Sequence, residues 1–105
     1  MEAALVDEGF EPAIAASGEE AITLLKSDWN NYRALITDIR LLGRIDGWKV
    51  ARIAREIDPT FPVIYITGAG ADRFTSQGVP GSVLLEKPFA PADLVTALLQ
   101  LLNKG

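Results

Sequence analysis

Three features of this 105-residue sequence predict an α/β fold, a parallel sheet covered by helices on both faces. Helical and strand-like segments alternate along the chain. The strand-like runs are apolar throughout, as burial on two faces requires, where one-faced burial would leave alternation. A carboxylate, a hydroxyl and an ammonium, on Asp38, Thr67 and Lys87, each stand at the end of a successive run. Open α/β sheets place their ligand sites outside those carboxyl ends.

Taken in order, residues 2–8 read as a short helical piece stopped by Gly9, and Pro12 to Ala16 as a buried strand of small side chains. Ser17 then acts as the N-cap of a helix, with Glu20 three residues on completing a capping box ahead of Ala21, Ile22, Leu24 and Leu25. The polar stretch 27–31 ends it. Ala34 to Thr37 is a short apolar run that delivers Asp38. Asp46-Gly47 opens a helix with Val50, Ile53, Ala54 and Ile57 at helical spacing, and Asp58-Pro59 closes it. Pro62 to Ile66 is the clearest strand, β-branched and apolar on both faces, and it delivers Thr67. A short helix around residues 71–77 leads to Val83-Leu84-Leu85, which delivers Glu86 and Lys87. The last helix has Pro91 near its first position and an apolar stripe of Leu94, Val95, Leu98, Leu101 and Leu102.

Composition narrows the functions open to such a chain. With 49% hydrophobic and 23% charged residues it has the balance of a folded globular domain, and its length suits one domain over residues 1–105. A net charge of −4 supplies no basic field for nucleic acid or for an anionic membrane surface. Leu94 to Leu102, the longest apolar stretch, is interrupted by Thr96 and Gln100, so no membrane span is expected. Cysteine and histidine are both absent. That excludes disulfides, Ser-His and Cys-His nucleophile pairs, imidazole metal sites and a phosphohistidine on this chain. The cytoplasm is the expected location.

Asp38, Thr67 and Lys87 suit phosphoryl transfer, in which catalysis is largely positioning and neutralisation of oxygen charge. Asp38 would be the nucleophile forming an acyl phosphate, Thr67 a donor to one phosphoryl oxygen, and Lys87 the cation for a second. Each residue alone is more often a loop acid, a turn hydroxyl or a solvated charge. Together, on three consecutive strand ends, they favour the functional reading. Gly68-Ala69-Gly70 hints at a dinucleotide fingerprint, but Arg73 occupies the place of the third glycine.

Leu35-Ile36-Thr37-Asp38, Val63-Ile64-Tyr65-Ile66-Thr67-Gly68 and Leu85-Glu86-Lys87-Pro88-Phe89 resemble the three signatures of bacterial two-component response-regulator receiver domains. Ala16 to Ala21 and Asp46-Gly47 resemble the starts of that family's second and third helices. The resemblance implies a flavodoxin-like sheet, Asp38 as phosphoacceptor, Thr67 as switch hydroxyl, Lys87 as phosphate contact with a cis bond to Pro88, and Mg²⁺ bound by Asp38 and the Arg40 backbone carbonyl. It also implies a histidine kinase or histidine phosphotransfer protein as phosphodonor. A receiver of this kind is not an enzyme in the ordinary sense, catalysing at most its own phosphorylation and dephosphorylation.

Three departures from the family pattern shape the remaining expectations. The family's first strand ends in an acidic pair that binds the metal, and this chain begins inside the helix after it, so slow or absent phosphorylation is expected. The loop from Asp38 to Asp46 lacks the usual proline and is about one residue longer, and Leu84 occupies the aromatic switch position. In the flavodoxin-like order a missing first strand would be central, leaving about twice 4.8 Å between the strands at 12–16 and 34–37. Either the 12–16 strand slides across to give about four strands, or a second copy covers the open edges as a homodimer. Association is the favoured expectation. Two other functions compete: a phosphorylation-independent docking module, and a phosphatase of the haloacid dehalogenase type. The second is disfavoured because Arg40 stands where those enzymes place a second aspartate.

Overall fold

The computed structural model describes residues 2–68 and 71–103. Helix α1 (Glu2–Asp7) ends at Gly9, whose φ of +88° is the left-handed conformation that glycine adopts without steric cost. Helix α2 (Gly18–Asp28) begins where Ser17 Oγ accepts from the Glu20 amide at 3.1 Å. The Glu20 carboxylate reaches back to the Ala16 amide at 3.3 Å, so the reciprocal bond of the box falls one residue before the cap. A 3-10 turn over Trp29–Asn31 follows.

Strands β1 (Leu35–Asp38), β2 (Val63–Thr67) and β3 (Val83–Glu86) form a parallel sheet in that spatial order, with Leu35 opposite Val63 and Thr67 opposite Glu86. β2 is central, and all five of its residues are buried. Val63 and Tyr65 face Ile39, Trp48, Ala51 and Val79, a layer supplied in part by α3 (Gly47–Ile57). Ile64 faces Leu5, Leu94, Ala97 and Leu98, from α1 and α5 (Pro91–Leu102). Period-two alternation in one strand thus serves two helical layers. Outside α3, α2 adds Ile22 and Leu25 against Val50, Ala54 and Phe61.

Two sequence expectations are corrected. The segment 12–16 is not a strand, and the sheet has three strands in place of about four. Three of the five residues are alanine, a poor strand former, and a strand exists only where a neighbour completes its ladder. Among the described residues nothing pairs with this segment, and Ile14 is 61% exposed. Nor has it slid beside β1. The helix expected over 71–77 is a 3-10 turn, Ala71–Arg73, followed by one short helix, α4 (Phe74–Gln77). Of the glycine-rich stretch after Thr67, Ala69 and Gly70 lie outside the described residues.

Elsewhere the chemistry of the boundaries matches the sequence reading. Asp46 caps α3 by accepting from the Lys49 amide at 3.0 Å, Asp58 ends that helix, and Pro91 opens α5. Arg55 ties α3 to the connections that flank it in space, donating to the carbonyls of Phe61 and Pro80 at 2.6 Å each. No helix among the described residues is long and apolar enough to cross a membrane.

Candidate phosphoacceptor site

Parallel pairing aligns the carboxyl ends of the three strands, and this brings Asp38, the last residue of β1, beside Thr67, the last of β2. Lys87 follows β3 directly, and its amide donates to the Thr67 carbonyl at 2.8 Å, extending the ladder by one step. Its peptide bond to Pro88 is cis. The ammonium Nζ lies 3.2 Å from Asp38 Oδ1. Asp38, Thr67, Lys87 and Arg40 all line one open pocket of about 340 Å³, with Ile39, Ile66 and Gly68 completing it.

Burial differs sharply across this group. The Thr67 residue is 4% exposed, whereas the side chains of Lys87 and Asp38 keep 53% and 44% of their accessible surface. An ion pair this wet contributes little to folding, since water screens the attraction and two flexible side chains must be ordered. Its significance is positional: a carboxylate held in an open pocket with a cation beside it and the buried Thr67 in the same lining.

The backbone under Asp38 is held by residues to which the sequence reading gave no such role. Thr37 Oγ1 donates to the Asp38 carbonyl at 2.8 Å, and the Gly47 amide donates to the Ile39 carbonyl at 2.8 Å. A Cβ at Gly47 would overlap the Asp38 carbonyl oxygen, so only glycine lets the first turn of α3 approach the end of β1 this closely. The available signal was a glycine directly after the Asp46 cap, where a helix former would otherwise be favoured. Glu19 on α2 holds the intervening loop. Its Oε2 accepts from the Arg44 amide at 3.4 Å, and its carboxylate fills the space that a side chain at Gly43, with φ of +91°, would need.

Magnesium prefers near-octahedral oxygen coordination, usually with one or two carboxylates, substrate phosphates and several waters. Among the described residues no three acidic side chains converge on a common point. Among the described residues lining this pocket the one carboxylate is that of Asp38, and it is engaged by Lys87. The Asp38 carboxylate and the Arg40 backbone carbonyl are, among the described residues, too few donors by themselves to fit a divalent ion's octahedral shell.

Comparison with known proteins gives the class. The family model for the response regulator receiver domain matches residues 1–99. Among solved structures, a response regulator receiver protein from Sinorhizobium medicae superposes with a TM-score of 0.93 at 50% identity, covering 97% of this chain and 82% of that one. The receiver domain of a sensor histidine kinase from Pseudomonas aeruginosa, which has a magnesium ion coordinated in its active-site cleft, gives 0.80 at 27% identity, covering 97% and 84%. Among curated proteins, a probable transcriptional regulator of Porphyra purpurea, ycf29, is 35% identical over 95% of this chain and 48% of its own length. An NtrX-like putative response regulator of Rickettsia felis is 35% identical over 90% and 20%. The chain thus spans less than half of either curated relative. It belongs to the response regulator receiver family of two-component systems, with that family's flavodoxin-like fold.

Proposed function

We propose that this receiver domain accepts a phosphoryl group on Asp38 from the phosphohistidine of a histidine kinase or phosphotransfer protein in the cytoplasm. The observation that carries the reading is the 3.2 Å approach of Lys87 Nζ to Asp38 in a pocket also lined by Thr67. An Asp38 carboxylate oxygen attacks phosphorus, the bond from phosphorus to the donor nitrogen breaks, and the donor imidazole leaves with that electron pair. The carboxylate's charge passes to the departing imidazole, which takes a proton from water. Lys87 then pairs with a phosphoryl oxygen in place of the carboxylate, and Thr67, lining the same pocket, is the candidate donor to another. Transfer and hydrolysis at Asp38 are the whole of its catalysis; it is not an enzyme acting on a separate substrate. A net charge of −4 supplies no basic field for nucleic acid, so no nucleic-acid partner is proposed for the domain.

Incubation with acetyl phosphate, followed by intact-mass measurement, tests this. One phosphoryl group should be gained slowly by the 105-residue chain, and Asp38→Asn should gain none. Equal labelling of the two would refute the assignment. Phosphorylation-independent docking, favoured by the lack of converging acids among the described residues, would leave both proteins unlabelled. The outer edge of β1 has no ladder partner among the described residues, and we assign it to association with a second copy. Sedimentation at micromolar concentration should then show a dimer; a monomer would refute that part.

A further inference from the structure

The peptide that follows Asp38 is restrained on both of its polar groups. Its N–H, that of Ile39, donates to the Ile66 carbonyl at 3.2 Å and so extends the ladder. Its carbonyl, that of Asp38, accepts from Thr37 Oγ1 at 2.8 Å. Gly47 packs against the same oxygen, closely enough that no Cβ would fit between them. Thr37 is buried, with 7% of its surface exposed, and alternation along β1 puts it with Leu35 and Ile39 on the face that α3 covers. A hydroxyl so placed needs an acceptor, and the acceptor it takes belongs to the residue that carries the nucleophile. We infer that Thr37 is a positioning residue for phosphoryl transfer, its hydroxyl fixing the peptide plane after Asp38 and with it the direction in which the carboxylate leaves the backbone. This rests on Asp38 being the acceptor, and it adds to that reading a residue outside the pocket lining.

The role follows from what the attacking atom requires. With acetyl phosphate as donor, an Asp38 oxygen forms the new bond to phosphorus while the bond from phosphorus to the acetyl oxygen breaks, and acetate leaves with that electron pair. Such a step is fast only when the reacting atoms are held close and in line, and a displacement of about 1 Å can cost on the order of a hundredfold. The aspartate side chain is short, so its oxygens follow the Cα–Cβ bond, and that bond follows the backbone on either side. With both polar groups of the next peptide engaged, its plane cannot turn without losing a hydrogen bond. Removal of the Thr37 hydroxyl frees the plane to seek another donor for the Asp38 carbonyl, and the carboxylate turns with it. Valine at position 37 keeps the branched shape and the strand preference while lacking the hydroxyl. Serine keeps the hydroxyl and lacks the methyl.

The test compares the 105-residue chain with Thr37→Val and Thr37→Ser, each labelled with acetyl phosphate in the presence of magnesium and followed by intact mass over a range of donor concentrations. Melting curves first set a temperature at which all three are folded. Thr37→Val should lower the maximal labelling rate roughly three- to thirtyfold, within the cost of misplacing a reacting group. Its half-saturating acetyl phosphate concentration should stay within about twofold of the parent's, because the residues lining the pocket are unchanged. Thr37→Ser should recover most of the maximal rate. Parent-like labelling by Thr37→Val, equal slowing by valine and serine, or a change confined to half-saturation would each overturn the inference while leaving Asp38 as acceptor. A parent chain that gains no phosphoryl group would instead overturn the acceptor assignment on which it rests.

Discussion

Residues 12–16 and 63–67 both look like strands in the sequence, yet one runs irregularly over the surface and the other is the centre of the sheet. Ile14 is 61% exposed and Ile64 is fully buried. The difference lies in what surrounds them. β2 has a ladder on each side and a helical layer on each face, whereas the earlier segment has no ladder among the described residues. An apolar run is therefore a bid for strand structure that neighbouring backbone must complete. The same contrast separates the site from the amino-terminal region: the strand ends that carry Asp38 and Thr67 are fixed by pairing and by glycine-mediated approach, while the segment between α1 and α2 is fixed by neither.

Truncating the isoleucine in each segment gives the largest effect. Ile64→Ala should cost about 2–5 kcal/mol, because it opens a void between Leu94, Leu98 and the sheet. Ile14→Ala should stay within roughly 0.5 kcal/mol. Urea denaturation of the two variants measures both. A cost for Ile14 approaching that for Ile64 would show that residues 12–16 are buried in solution, by a partner chain for example, and would end the contrast.

Glycines sharpen it at the next level. Gly47→Ala should destabilise by roughly 1–3 kcal/mol through overlap with the Asp38 carbonyl, despite the better helix propensity of alanine, and should also displace Asp38 and slow its labelling. Gly9→Ala has nothing within 4 Å to strike and pays only for its left-handed backbone, about 1 kcal/mol. Its labelling rate should equal that of the parent. Equal labelling by Gly47→Ala would mean that the contact between α3 and β1 does not position the acceptor.

Much of this was legible from local chemistry. Ser17, Asp46 and Pro91 mark helix starts because capping depends on neighbours within a few residues, and β2 announces itself through five consecutive apolar or β-branched residues. The three site residues could be placed at one edge because parallel strands align their ends. What could not be read depends on long-range placement. The Arg55 bond to the Pro80 carbonyl and the Glu19 bond to the Arg44 amide each join residues 25 apart. The missing ladder beside 12–16 is likewise a property of the assembled sheet. Half-exposure of the Asp38 and Lys87 side chains, too, follows from the shape of the pocket mouth and leaves no mark in residue order.

A smaller effect probes the centre of β2. Tyr65 is fully buried, its ring lies 4.7 Å from that of Trp48 and 6.0 Å from that of Phe74, and its hydroxyl accepts from the Val79 amide at 3.1 Å. Burial raises its phenol above the ordinary value of 10, against opposing effects of the Val79 bond, Arg55 and Arg52. A group whose folded pKa is raised stabilises below its unfolded value and loses that stabilisation as pH climbs through the folded one. Tyr65→Phe should thus cost about 1–2 kcal/mol near neutrality, by leaving the Val79 amide unpartnered. The deficit should shrink as pH rises above about 10, where the parent alone is weakened by ionisation at position 65. A constant deficit across that range would show that the phenol is not desolvated in the fold.

The most direct test of the account is to locate the phosphoryl group itself. The 105-residue chain, treated with acetyl phosphate both in EDTA and with magnesium, is reduced with borohydride, which converts an aspartyl phosphate to homoserine, and then digested and sequenced by mass spectrometry. Homoserine is expected at position 38, and none at Asp46 or Asp58. Homoserine at either of those positions, or at none after prolonged treatment with or without magnesium, would contradict it.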